Sequence, residues 1–151
     1  MSRKRYKNSE CDFHFEGIRL WIHNRESQKS QDYWDGNWLY ATAICEASGS
    51  AVRVSGPILH TSEIDGFQRN LEKLNDRFED RAELDCMEPY LGIRVEAESL
   101  GHLRLLVAIT PDPLNQKHEF TFESDQSWLP RVISDCKKIL GRFPIVGTEK
   151  A

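Results

Sequence analysis

Apolar and polar positions alternate in short runs along most of this chain, and in two stretches the period changes to that of a helix. Phe13 and Phe15 share one parity, whereas Ile18, Leu20 and Ile22 share the other. A first strand over 11–23 therefore changes phase, and Gly17 sits where a bulge or bend would fall. Residues 24–31 carry no aliphatic side chain and read as loop. The next strand, Trp38 to Cys45, is apolar on both parities: Leu39, Ala41, Ala43 and Cys45 on one face, Trp38, Tyr40, Thr42 and Ile44 on the other. Two apolar faces predict a central strand covered on both sides. A turn over 47–50 leads to its hairpin partner, Ala51 to Leu59, whose end is distorted by Gly56-Pro57.

Ile64, Phe67, Leu71, Leu74 and Phe78 then recur at spacings of three and four, one apolar stripe of a helix capped by Thr61 or Ser62. A short strand over 82–87 is broken by Glu88-Pro89. Leu91 to Ala97 and Leu103 to Ile109 form the cleanest hairpin in the chain, and His118 to Glu123 adds a further strand. Ser124 or Asp125 can cap a second helix, with Pro130 near its first turn and Trp128, Val132, Cys136, Ile139 and Leu140 as its stripe. Gly141 ends that helix and Pro144 forbids its continuation. This order of elements predicts an α+β fold: a single domain with one mainly antiparallel sheet of about six to seven strands covered by two helices. We assign residues 1–10 to a disordered basic tail, 11–146 to the domain and 147–151 to a frayed tail.

Aromatic residues make up 10% of the 151, so the core of this single domain rests on large side chains. Charge is uneven. Arg3, Lys4, Arg5 and Lys7 against Glu10 give the first ten residues +3, and a total of −4 leaves −7 on the remaining 141. An acidic body disfavours broad nucleic-acid binding and suits a basic partner. No apolar run approaches the roughly 20 residues of a membrane span, and no signal segment follows the basic start, so a cytoplasmic protein without a membrane partner is expected. Cys11, Cys45, Cys86 and Cys136 lie far apart, three of them within apolar patterns, and read as reduced thiols; the five histidines are dispersed without zinc-ligand spacing. We expect no metal and no cofactor.

The densest segment is Asp32-Tyr33-Trp34-Asp35-Gly36-Asn37-Trp38, where a polar turn enters a strand. Its oxygen-bearing side chains suggest a cation site, but the spacing lacks the closing glutamate of an EF-hand loop, and a tight turn bonded to its own amides is the plainer reading. Asp32, Tyr33, Trp34 and Asp35 are the candidate binding residues; Gly36, Asn37, Trp38, Glu88 and Pro89 are the structural motif. Glu88 can serve as a buried general acid, or it can accept hydrogen bonds from the turn containing Asn37 and so tie two strand ends together. No residue is assigned a catalytic role.

Asp35-Gly36-Asn37-Trp38-Leu39 entering a strand, the amphipathic helix after Leu59, Glu88-Pro89-Tyr90-Leu91 entering another strand, and a last helix ending near Phe143-Pro144 together resemble the WapI-type immunity proteins, a bacterial family. The resemblance runs from about Cys11 to Pro144. It implies a non-enzymatic protein that neutralises a contact-delivered toxin, often a nuclease, by binding it, so the partner expected is a basic toxin domain. Two other classes remain open: a small-ligand or metal-dependent enzyme using Asp32, Asp35 and Glu88, and a structural or regulatory dimer formed through an exposed sheet face.

Overall fold

The phase change between Phe15 and Ile18 is a hairpin. A computed structural model of the chain describes residues 6–149. In it β1 (Phe13–Phe15) turns through Glu16 and Gly17 into β2 (Ile18–Arg25), pairing Phe15 with Ile18 and Phe13 with Leu20. Directly opposed residues of an antiparallel pair point to the same face, so all four side chains enter the core despite their different parities. The expected single bent strand is therefore two.

After the short α1 (Tyr33–Gly36), β3 (Trp38–Ala47) and β4 (Ser50–His60) complete a four-stranded meander in the order β1-β2-β3-β4. Helix α2 (Thr61–Arg77) leads to a second antiparallel meander, β5 (Arg81–Asp85), β6 (Leu91–Ala97), β7 (His102–Ile109) and β8 (Glu119–Asp125); α3 (Leu129–Arg142) closes the chain. The α+β class and the antiparallel pairing hold. The expected single sheet of six to seven strands is instead two sheets of four, because α2 separates β4 from β5 and neither pairs with the other. Pro57 is accommodated because β4 is an edge strand, and the irregularity it brings is a register shift opposite Tyr40, between the pairs Leu39–Leu59 and Ala41–Gly56.

The inner faces of both sheets and the stripes of both long helices share one hydrophobic core. Helix α2 contributes Ile64, Phe67, Leu71 and Leu74, whereas Phe78 leaves the stripe as a left-handed C-cap with φ 48°. Burying those four offers on the order of 1.5–3 kcal/mol each before conformational entropy is subtracted. Helix α3 buries Leu129, Val132, Ile133, Cys136 and Ile139. It starts beyond a 3-10 turn capped by Asp125, and Gly141 lies within it, the helix ending one residue later before Phe143-Pro144. Trp128 stacks on Phe15 at 5.6 Å, joining α3 to β1.

The second face of β3 differs from expectation. Leu39, Ala41, Ala43 and Cys45 enter the core, but Tyr40 on the opposite face is exposed. Thr42 on that face is buried beneath a smaller polar cover: its Oγ1 lies 2.9 Å from His23 Nε2, 2.8 Å from Ser55 Oγ and 3.2 Å from the Tyr6 hydroxyl. Of the expected basic tail, residues 1–5 lie outside the described residues. Residues 6–10 cross this face, with the Tyr6 ring 5.2 Å from Trp21 and under the Arg53 guanidinium at 4.6 Å. The four cysteines are free thiols. Cys45 and Cys136 are buried, which pushes each thiol up to about 12, and Cys11 and Cys86 are half-buried.

Candidate functional site

Asp32 to Trp38 form a corner where α1 enters β3, and its local structure follows from three side chains. Asp32 is the N-cap of α1: its carboxylate accepts from the amides of Trp34 and Asp35, both at 3.0 Å. Gly36 is buried, and its carbonyl accepts from Arg25 Nη1 at 2.8 Å. Asn37 is fully buried, and its amide is fully used. Nδ2 donates to the carbonyls of Tyr33 at 2.7 Å and Val146 at 2.9 Å; Oδ1 accepts from the Val146 amide at 2.9 Å and from Arg25 Nη1 at 3.2 Å. Carbonyls only accept and amides only donate, so these partners fix the orientation of the side-chain amide.

Asn37 thus mimics a strand neighbour, making both backbone hydrogen bonds of a residue 109 positions away. Arg25 adds a bond to the Pro144 carbonyl, and at Gly147, with φ +70°, a β-carbon would lie 2.7 Å from the Gln31 carbonyl oxygen, so a side chain has no room. The segment from Pro144 to Gly147 is strapped over the corner. Glu88, expected to bond the Asn37 turn, does not: the buried amide is already satisfied by Tyr33, Val146 and Arg25.

The carboxylate that ties separate elements together is Glu63. Its Oε1 accepts from the His60 amide at 2.7 Å and its Oε2 from the Met87 amide at 2.6 Å, joining the start of α2 to the β5–β6 loop. Burial raises its carboxyl above the ordinary value and Asp85 and Glu88 push the same way, against the two amide donors. The cap of α2 is His60, not Thr61 or Ser62. Its imidazole Nδ1 accepts from Ser62 while Glu63 reaches back to the His60 amide, a capping box with histidine in place of serine. His60 Nε2 lies 3.2 Å from the carbonyls of Tyr33 and Trp34, so the proton sits there and the ring is neutral. Tyr33, Trp34 and Trp38 surround that ring at 5.1–5.6 Å between centroids.

Burial lowers the His60 value below the usual 6.5. A depressed value means the stability contributed by neutral His60 is complete above about pH 6.5 and is lost as pH falls through the folded-state value. The melting temperature is therefore expected to fall between pH 7.5 and pH 5. His60→Asn, which keeps a capping acceptor but does not titrate, flattens that profile even where its starting stability is lower. His14 shifts in the same direction, chiefly through burial and the nearby Arg19, and adds to the slope, while the raised Glu63 carboxyl acts in the opposite sense. A profile in the variant as steep as in the parent removes His60 from this role.

The corner faces outward through Trp34, 44% exposed, and the half-buried Tyr33, with Asp32 and Asp35 exposed beside them. Met87, 52% exposed, stands on the far side of the Glu63 bridge. Next to the corner is an open cleft of about 560 Å³, into which Glu26, Trp38, Glu88 and Tyr90 bring the two sequence motifs together. Asp32, Asp35 and Glu88 do not form one constellation: Asp32 is engaged as a cap, and Glu88 lines the cleft. Among the described residues, no group of three or more His, Cys, Asp or Glu side chains is placed to hold a metal ion. Pro89 is exposed in the β5–β6 loop. His60, Glu63, Arg25 and Glu26 escaped the sequence reading. Only His60-Thr-Ser-Glu63 carried a local signal, a glutamate three residues after a capping side chain.

No helix among the described residues is long and apolar enough to cross a membrane. No curated protein and no solved structure matches the chain. A family model does: that of the immunity protein WapI-like family, over residues 10–144. That span takes in β1 through α3, with the corner, the His60–Glu63 bridge and the cleft inside it. With most of its length matched in one continuous alignment, the chain belongs to the immunity protein WapI-like family.

Proposed function

We propose that this protein neutralises a toxin domain by binding it directly in the cytoplasm, without catalysis, and that Asp32, Tyr33, Trp34 and Asp35 form part of the contact. Membership of the immunity family over residues 10–144 is the observation that carries this reading. The chemistry of the corner supports it. An exposed indole beside carboxylates combines an apolar anchor with the charge that attracts a basic surface, such as the substrate-binding face of a nuclease. The −7 balance of residues 11–151 supplies long-range steering of the same sign.

The test is co-expression with a toxin domain, sought first among the genes beside this one. The protein is expected to restore growth and to bind a catalytically inactive form of that domain at nanomolar Kd, more weakly as salt rises. Trp34→Ala is expected to weaken binding roughly tenfold or more while leaving the fold intact, since its side chain is the exposed member of the His60 cluster. Absence of both rescue and binding refutes the proposal. Full affinity in Trp34→Ala moves the contact away from this corner.

A further inference from the structure

We propose that the cleft between the two sheet motifs seats an arginine side chain presented by the partner protein, its guanidinium lying among Glu26, Glu88, Trp38 and Tyr90. This rests on the reading that the chain acts by binding a protein, and it names the chemistry of one contact.

Five features of the cleft converge on a cation. It is open and, at about 560 Å³, has room for a whole side chain together with its waters. Two of its lining residues are glutamates, and neither carboxylate takes part in an ion pair or side-chain hydrogen bond among the described residues. Among the described residues no lysine, arginine or histidine lines it, so none of them answers those charges. Its aromatic members supply ring surface, and Trp38 is held edge-on against His60 at 5.1 Å. Pro57 and Pro111 in the wall carry no backbone N–H that would attract an anion.

The alternatives fare worse on the same features. An anion entering the cleft meets Glu26 and Glu88, with Glu63 close enough to Glu88 to interact with it and add to the repulsion. An apolar side chain desolvates two carboxylates and offers them no partner. A guanidinium answers both carboxylates and stacks on an indole, which a compact ammonium does less well. The walls come from both halves of the fold: Trp38 and Pro57 from β3 and β4 with Glu26 just after β2, and Glu88 and Tyr90 from the β5–β6 loop with Pro111 just after β7, so the pocket exists only in the folded domain.

The pocket can be tested without the partner. Isotope-labelled protein is titrated with N-acetyl-arginine amide while the Trp38 indole N–H resonance is followed, and N-acetyl-citrulline amide, of the same shape but uncharged, serves as control. The expected result is a saturable shift with Kd in the range of about 1–10 mM, none with citrulline, and at least about tenfold weaker binding in the Glu26→Gln/Glu88→Gln double variant. Among the described residues neither carboxylate makes a hydrogen bond that the variant would break, so an unchanged melting temperature accompanies the loss. An equal response to citrulline, an undiminished double variant, or shifts confined to other residues overturns the pocket. The toxin domain used to test neutralisation, catalytically inactivated, separates this inference from the one beneath it. If it binds parent and double variant equally, the immunity reading stands and the pocket assignment falls. If it binds neither while arginine amide still saturates Trp38, the pocket stands and the immunity reading falls.

Discussion

Replacing Asn37 with alanine lowers the melting temperature by about 10 °C. Four hydrogen bonds disappear at a buried position, and the Val146 amide, the Val146 carbonyl and the Tyr33 carbonyl each lose a partner. Net contributions near 1 kcal/mol for each of the four bonds amount to about 4 kcal/mol. For a domain of this size, that loss corresponds to about 10 °C. Asn37→Asp is the informative control. It keeps the shape and the acceptor that faces Val146 N and Arg25, but puts an oxygen against two carbonyls. Its expected loss approaches that of alanine, moderated by the Arg25 guanidinium. Hydrogen exchange tells the two apart: the Val146 amide loses protection in Asn37→Ala and retains part of it in Asn37→Asp. Unchanged melting in both variants returns the corner to an ordinary surface turn.

The same residue marks where sequence reasoning stops. That Asn37 sits in a turn and that Trp38 begins a strand are local facts, written in the adjacency of Asp, Gly and Asn to an apolar run. Its bonds to Val146 join positions 109 residues apart, and nothing in the turn or the tail announces the other. Glu88 was a reasonable candidate for a bridging carboxylate, since the sequence places it at a strand end beside a proline. The bridge is built by Glu63, whose place in the first turn of α2 was legible but whose reach to Met87 depends on how that helix docks on β5. Helix stripes and the β6–β7 hairpin read true because both are periodic and local. The sheet count did not, because alternation identifies strands and is silent on which edges pair. Trp38 and Glu88 do meet, across an open cleft instead of a hydrogen bond, so the two motifs belong to one place for a different reason.

Gly17→Ala is the second large effect, and its cause is space, not backbone freedom. A β-carbon at Gly17 would lie 2.1 Å from the Glu46 carbonyl oxygen and 2.6 Å from the Phe122 ring. The ring belongs to β8, so at this point the β1–β2 turn of one sheet rests on the edge strand of the other, with Ser124 Oγ also donating to Glu16 Oε1 at 2.9 Å. Phe122 can rotate, but the Glu46 carbonyl is backbone and is held in place by the bond from the Glu46 amide to the Gly17 carbonyl at 2.9 Å. Relief requires the turn to lift away from β3, which breaks that bond and loosens Phe15 and Ile18 at the end of the core. The expected cost is on the order of 3–4 kcal/mol, or about 10 °C or more in melting temperature. A double-mutant cycle with Phe122→Ala separates the two obstacles. Removing the ring is expected to recover only a minor part of the loss, because the carbonyl remains. Full recovery would place the contact in the side chain alone, and a Gly17→Ala protein as stable as the parent would mean that the turn does not press on the Glu46 carbonyl.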